Sequence, residues 1–144
     1  RLSKVLSQSC DERTELWHWQ KALDSSKLIR CADDQLFSAI ELEDVAAGIC
    51  GLMQQNCSGL YHLGGAESWS RWTLLQEYLI SAEKLGVRYD HNIEVCSIRD
   101  FAEFAECRPI NTTMNSSKIT RNTGFHPKDI RSSIRRFVIN AYSK

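Results

Sequence analysis

Arg108 stands before Pro109 in a polar stretch, a setting suited to holding an anionic oxygen group. A guanidinium presents its donors as a planar fork that can make two parallel charge-assisted bonds to phosphate, and proline restricts the backbone beside it. The alternative is a surface arginine paired with Glu103 or Glu106. A second positive feature runs from Lys118 onward, where Arg121, Lys128, Arg131, Arg135, Arg136 and Lys144 face the single acid Asp129. Such a run either attracts a phosphate-bearing ligand or forms the solvated face of a terminal helix. Thiol and metal chemistry find less support. The cysteines at 10, 31, 50, 57, 96 and 107 include no C-x-x-C pair, and no histidine lies at ligand spacing from them. They are expected to be reduced, small buried apolar residues in a cytoplasmic chain. His62 has no acid or nucleophile in its pattern and reads as a packed polar residue. Asn56, Asn111 and Asn115 open N-x-S/T triplets that read as chance matches.

These groups need a scaffold, and the hydrophobic pattern supplies one. Residues 1–6 read as a strand that enters with no turn or cap before it, as though chain had preceded it. Residues 11–24 read as a helix with Leu16, Trp19, Gln20 and Leu23 on one face and Asp11, Glu12 and Glu15 near its positive end. Residues 27–31 suit a short strand. Glu43 and Asp44 open a helix whose inward set is expected to be Val45, Ile49, Leu52 and Met53, stopping before Gly59. Residues 60–63 read as a strand ending at Gly64-Gly65. Ser70 caps a helix carrying Trp72, Leu75, Leu79 and Ala82 inward, and Gly86 ends it. Residues 92–96 alternate like a strand, and 97–115 read as irregular. A last helix after Pro127 is expected to bury Ile130, Ile134, Phe137, Val138 and Ala141. Alternating strands and helices give an α/β class, with few strands packed against four to five helices.

The 144 residues are 42% hydrophobic and 25% charged, proportions that allow one compact core. Eighteen basic residues balance eighteen acidic ones, which removes any global electrostatic argument for nucleic acid or an anionic membrane. No apolar run is long enough to span a bilayer, and no secretion signal is visible.

Five fragments, in order, resemble the extended short-chain dehydrogenase/reductase superfamily, and in particular its dTDP-4-dehydrorhamnose reductase branch. Asp34-Gln-Leu-Phe-Ser-Ala-Ile-Glu-Leu-Glu-Asp44-Val-Ala is similar to the family's D-Q-x-x-S-P-x-Y-x-x-D-x-A. Gly59-Leu-Tyr-His-Leu-Gly-Gly65 resembles G-x-Y-H-x-x-G, and Ser70-Arg-Trp resembles S-R-[YF]. Arg108-Pro-Ile-Asn-Thr-Thr-Met-Asn-Ser-Ser-Lys118 resembles R-P-x-N-S-x-L-D-x-x-K. Thr123-Gly-Phe-His-Pro127 resembles L-G-[FW]-x-P.

The resemblance implies that residues 1–144 are the substrate-binding C-terminal portion of an NAD(P)H-dependent sugar-nucleotide reductase, with an incomplete Rossmann sheet. The nucleotide-binding N-terminal half would then be absent from this chain and supplied in cis or in trans. The substrate would be a 4-keto nucleotide sugar, with Arg108 and Asn111 on its diphosphate or sugar. Gln35, Ser38 and Arg71 are secondary candidates, although Gln35 and Ser38 equally suit a locally hydrogen-bonded turn. Trp72 reads as core, and Asp44 as an anchor at a helix start. NADPH or NADH belongs to the parent protein, and none is expected to bind this chain alone. The family's glycine-rich turn is missing, since only Gly64-Gly65 are close together. Its tyrosine, followed four residues on by lysine, is missing too: the residues found there are Gly65 after Tyr61, Ala82 after Tyr78 and Ile93 after Tyr89. Departures from the pattern include Ala39 for proline, Glu41 for an aromatic, Met114 for leucine and Asn115 for aspartate. Glu41 is expected either to repel a diphosphate or to alter the pocket wall.

Three readings follow from this. One is the substrate half of a reductase, or of a related epimerase or dehydratase. Another is a non-catalytic ligand-binding or regulatory subunit, as the regulatory subunit of methionine adenosyltransferase resembles the same reductases. The third is a remnant without function. Exposed sheet edges would favour a homo-oligomer.

Overall fold

The computed structural model describes residues 1–8, 14–89, 92–101 and 108–142. Asp11, Glu12, Cys10, Glu103, Glu106 and Cys107 lie outside them. The elements are β1 (Val5–Leu6), α1 (Glu15–Asp24), β2 (Ile29–Ala32), β3 (Leu36–Phe37), β4 (Ile40–Glu41) and α2 (Leu42–Gln54). They continue with α3 (Arg71–Glu83), β5 (Ile93–Cys96), a 3-10 turn (Ile98–Asp100), β6 (Asn111–Thr112), α4 (Ser117–Thr123) and α5 (Ile130–Tyr142). The strands form three parallel pairs, β1 with β4, β2 with β5, and β3 with β6. Parallel strands need crossovers, and α1, α2 and α3 lie within those connections, which makes this an α/β fold.

The larger core lies between α3 and α5. Leu74, Leu75, Tyr78 and Ala82 meet Ile130, Ile134, Phe137 and Val138, all buried, and Leu16, Trp19 and Leu23 of α1 close the same cluster. Tyr78 and Phe137 rings sit 6.2 Å apart. Tyr78, deep in this core, keeps its hydroxyl satisfied 3.1 Å from that of Tyr142, which also contacts the Tyr89 hydroxyl. Burial holds the Tyr78 phenol far above its ordinary range, so it stays neutral. A smaller cluster joins Ile40, Val45, Leu63 and Ile119.

Local chemistry sets the helix ends. Thr14 caps α1 by accepting from the Trp17 amide at 3.3 Å. Ser70 and Thr73 form a reciprocal capping box at the start of α3. Gly124, at φ +71, closes α4 in the left-handed region that favours glycine.

Several expectations need correction. Residues 1–6 contribute only Val5–Leu6 and a bridge from Leu2 to Leu63, and Leu63 is the only residue of 60–63 in a ladder. On α2, Val45 is buried, but Ile49 and Met53 are 45% and 72% exposed. Asp44 and Gly48 turn inward instead. Gly48 admits Leu63, whose Cδ1 would lie 2.9 Å from an added Cβ. Asp44 is tolerated there because its Oδ2 accepts from the Lys128 amide at 2.6 Å. On α3 the buried line runs through Leu74, Leu75, Tyr78 and Ala82, while Trp72 and Leu79 are only partly buried. The stretch 97–115 holds a 3-10 turn and β6, and α4 follows it. Among the described cysteines only Cys31 is buried, and Cys50 is exposed. Burial, reinforced by the Glu15 carboxylate, pushes the Cys31 thiol up to about 12 and leaves it unreactive at neutral pH.

Candidate functional site

A cleft of about 440 Å³ opens where β1, β3, α3 and the loop at Arg108 converge. Ser3, Lys4, Gln35, Arg71, Arg108 and Thr112 supply its polar lining, and Leu2, Phe37, Pro109 and Met114 the apolar part. Each arrives by a separate route. Lys4 sits just before β1, its carbonyl accepting from the Ile40 amide at 3.0 Å. Gln35 precedes β3, and its Nε2 donates to the Pro109 carbonyl at 3.2 Å. The Leu36 amide donates to the Ile110 carbonyl at 2.7 Å, and Thr112 Oγ1 donates to the Leu36 carbonyl at 3.0 Å. The β3–β6 pair therefore fixes the backbone of the loop that carries Arg108.

Arg71 is the first residue of α3, and its Nε donates to Glu15 Oε1 at 2.7 Å. Lys4 Nζ pairs with the other oxygen of the same carboxylate and lies 5.3 Å from the Phe37 ring centre. Two helix starts and one strand thus bring two cations to one acid at the edge of the cleft.

Ser38 and Asn111 lie beside this cleft without lining it. Ser38 is buried; its Oγ accepts from the Met114 amide at 3.1 Å, and its own amide donates to Ser3 Oγ at 3.1 Å. It clasps the segments under the cleft. Asn111 is exposed, and its Oδ1 accepts from the Thr113 amide at 3.0 Å and the Thr113 hydroxyl at 2.7 Å, closing a local turn. Glu41 faces neither cleft nor solvent. It is buried, contacts Gln8 Nε2 and accepts from Ser133 Oγ at 3.0 Å, and it does not line the Arg108 cleft. Three members of the basic run have separate partners. Lys118 donates to the Leu60 carbonyl at 2.8 Å, Lys128 meets Glu43 at 3.3 Å, and Arg131 meets Glu67 at 2.8 Å.

Asp34 anchors the turn that leads to Gln35. Its carboxylate accepts from Ser97 Oγ at 2.5 Å and the Ile98 amide at 2.8 Å, and these bonds, the hydroxyl first, hold it below the ordinary carboxylate range. A folded-state value below the unfolded one means the stabilisation is present above the unfolded pKa and is lost as pH falls through the folded one. Asp34→Asn should therefore cost about 1 kcal/mol near neutral pH, after allowance for solvent screening, and the gap to the native chain should begin to close below about pH 4 and shrink further as the pH falls. Urea unfolding at neutral and acid pH checks this. An equal gap at both would contradict it.

The Gly64-Gly65 pair is packed against the fold. An added Cβ at Gly65 would lie 2.0 Å from the Ala39 carbonyl oxygen, so that face of the glycine pair is filled by the fold itself. Among the described residues no cluster of His, Cys, Asp and Glu could hold a metal ion, and no helix is long and apolar enough to cross a membrane.

Ser3, Lys4 and Thr112 belong to the cleft and carry no distinguishing mark in the sequence. Lys4 is one lysine just before a short strand, and its partners are distant in sequence. Thr112 lies within the Arg108–Lys118 motif without being one of its distinctive positions.

A family model described as RmlD substrate binding domain matches residues 1–143. No curated protein matches the chain. Among solved structures, dTDP-4-dehydrorhamnose reductase from Bacillus anthracis in complex with NADP aligns at TM-score 0.76 and 19% identity, covering 97% of this chain and 46% of that one. A dTDP-4-dehydrorhamnose reductase from Clostridium acetobutylicum aligns at TM-score 0.76 and 13% identity, covering 97% of this chain and 48% of that one. The dTDP-glucose 4,6-dehydratase of Bacillus anthracis in complex with NAD aligns at TM-score 0.75 and 13% identity, covering 99% of this chain and 44% of that one. At these identities the likeness shows the fold, that of an extended short-chain dehydrogenase fragment. The chain spans less than half the length of each.

Proposed function

The chain belongs to the RmlD substrate-binding domain family, and from that premise we propose that the Lys4–Arg71–Arg108 cleft binds the diphosphate of a nucleotide sugar. The observation that carries this reading is convergence. Three cations from three separate segments of the chain line one cleft, beside a loop fixed by β3–β6 pairing and by Gln35. Such an arrangement meets a dianion with short charge-assisted bonds. Arg108 contributes the planar fork, Lys4 and Arg71 a second positive edge, and Gln35 and Thr112 neutral hydrogen-bonding groups. Met114 and Phe37 offer apolar surface for a sugar face. Asn111 and Ser38 act from beside and beneath, holding the loop and the Met114 amide.

In this reading the chain is the substrate-binding portion of an NAD(P)H-dependent sugar-nucleotide reductase of the dTDP-4-dehydrorhamnose type. Its work is to bind and orient a 4-keto sugar. Hydride donor and proton donor come from a nucleotide-binding half, in cis or in trans; Gly64-Gly65 is packed against the fold, and Gly65, Ala82 and Ile93 stand four residues after Tyr61, Tyr78 and Tyr89. The same facts favour a second reading, a ligand-binding or regulatory subunit that keeps the cleft and performs no reduction.

Both readings require diphosphate binding. Calorimetric titration of the full chain with UDP and dTDP should show saturable binding that weakens with added salt as the charges are screened. No saturable heat up to millimolar nucleotide would end both readings. If binding occurs, restoration of 4-keto sugar reduction by an added nucleotide-binding half would separate the first from the second.

A further inference from the structure

Arg71 occupies a position where a cation is electrostatically misplaced. The first turn of a helix carries the positive end of the backbone dipole and favours acids. Yet Arg71 is the first residue of α3, only partly exposed, and is held there by the Glu15 carboxylate at 2.7 Å. Glu15 opens α1, where an acid suits the dipole, and it also takes Lys4 on its second oxygen. Its side chain is only 12% exposed, against 28% for each partner, so the acid is the most buried member of the group. It does not line the Arg108 cleft. It stands in the wall of the neighbouring cleft formed by α1 and β2, with Arg71 on the boundary between the two. The three residues come from three different elements and have no local reason to meet.

We infer that Glu15 is a positioning residue that holds Lys4 and Arg71 side by side as a preorganised anion-binding edge of the Arg108 cleft. The inference rests on the reading of that cleft as a diphosphate site. Lysine and arginine side chains lose much rotational freedom when fixed, and binding is weakened by that loss if it falls due only when the ligand arrives. A carboxylate that bridges the two cations moves the loss into folding. Lys4 and Arg71 against the one Glu15 carboxylate keep a net positive charge at this edge for a dianion.

Charge alone predicts the opposite result, and this makes the inference testable. Removing an acid beside two cations should tighten binding of a diphosphate by simple Coulomb attraction. Removing a positioning group should weaken it. Glu15→Gln in the full chain, titrated with UDP by calorimetry, is expected to bind about tenfold more weakly, the effect of freeing two such side chains. Glu15→Asp keeps the charge but is too short to bridge, and should lose most of the same affinity. In the Arg71→Met chain, where one of the two cations is gone, Glu15→Gln should cost less than about threefold. Thermal unfolding of each variant shows that it is folded, and if Glu15→Gln fails to fold, Glu15→Asp carries the test. Unchanged or tighter binding in Glu15→Gln, native affinity in Glu15→Asp, or an undiminished tenfold cost in the Arg71→Met chain would each overturn the inference. Should the native chain bind no UDP, the site reading fails and this inference with it. A native chain that binds UDP and loses it on Arg108→Ala, while Glu15→Gln is unaffected, leaves the site standing and rejects only the role of Glu15.

Discussion

Replacing Arg108 with alanine should weaken binding of a nucleoside diphosphate by about 10- to 100-fold, the equivalent of roughly 1.5–3 kcal/mol for a lost hydrogen bond to a charged group. Its backbone is held by Gln35 on the Pro109 carbonyl and by the β3–β6 pair, so the guanidinium leaves a fixed base. A fixed base matters because a fork that must first be found and ordered contributes less to affinity. Arg108→Lys retains the charge and loses the planar double donor, and should fall between native and alanine. Arg108 is exposed, and any effect of its loss on unfolding stability is to be read apart from the effect on affinity. Calorimetric titration with UDP and dTDP, run beside urea unfolding, separates the two effects. Affinity within twofold of native for Arg108→Ala would remove the central residue of the proposed site.

The parts of this molecule legible in its sequence are those decided locally. The last helix reads correctly from Ile130, Ile134, Phe137 and Val138 because its apolar residues recur at helical spacing on one face. The start of α3 reads from Ser70 because a cap is a short-range hydrogen bond. Helix α2 misleads because its apolar residues surround it. With Val45, Ile49, Leu52 and Met53 all available, periodicity cannot say which side faces the core, and the outcome turns on Leu63 filling the space at Gly48. Strands β3, β4 and β6 are two residues each, and their partners lie far along the chain, Leu36 beside Asn111 and Val5 beside Ile40. Two residues carry no period.

The same division runs through the site. Arg108, Gln35 and Arg71 were reached through fragments that resemble a family, and the fold brings all three to one cleft. Lys4 and Glu15 carry no such mark, since their meaning depends on two helix starts and a strand arriving together. Asn111 and Ser38 show the reverse. Their residue types suit ligand contact and local hydrogen bonding equally, and the structure gives their side chains to Thr113 and to the Met114 amide.

The glycine pair ends as a packing device, and its two members should differ sharply. At Gly65 a Cβ would stand 2.0 Å from the Ala39 carbonyl oxygen and 3.1 Å from its carbon. Backbone there has little freedom to retreat, because the next residue, Ile40, donates its amide to Lys4 at 3.0 Å and Gly65 donates its own to Ser38 at 3.2 Å. Gly65→Ala should therefore cost at least about 3 kcal/mol, the upper end of ordinary overpacking. At Gly64 the nearest atoms are the Cβ atoms of Ser38 at 2.9 Å, and of Met114 and Ser3 at 3.3 Å. Those Cβ atoms move only with their backbones, but the overlap is smaller than at Gly65, and the expected cost is about 2 kcal/mol. Gly86 serves as the reference. Nothing lies within 4 Å of its added Cβ, but its φ of +80 strains any L side chain, and Gly86→Ala should cost about 1 kcal/mol. Urea unfolding midpoints should therefore fall in the order Gly86→Ala, Gly64→Ala, Gly65→Ala. The consequences reach the cleft as well, since Ser38 joins Ser3 and the Met114 amide directly beneath it. Gly65→Ala, if it folds at all, should weaken UDP binding, while Gly86→Ala should leave it unchanged. If Gly65→Ala is no less stable than Gly86→Ala, the close approach of residues 39 and 65 does not exist in solution. The glycine pair would then be open to another role, including contact with a ligand backbone that the present packing excludes.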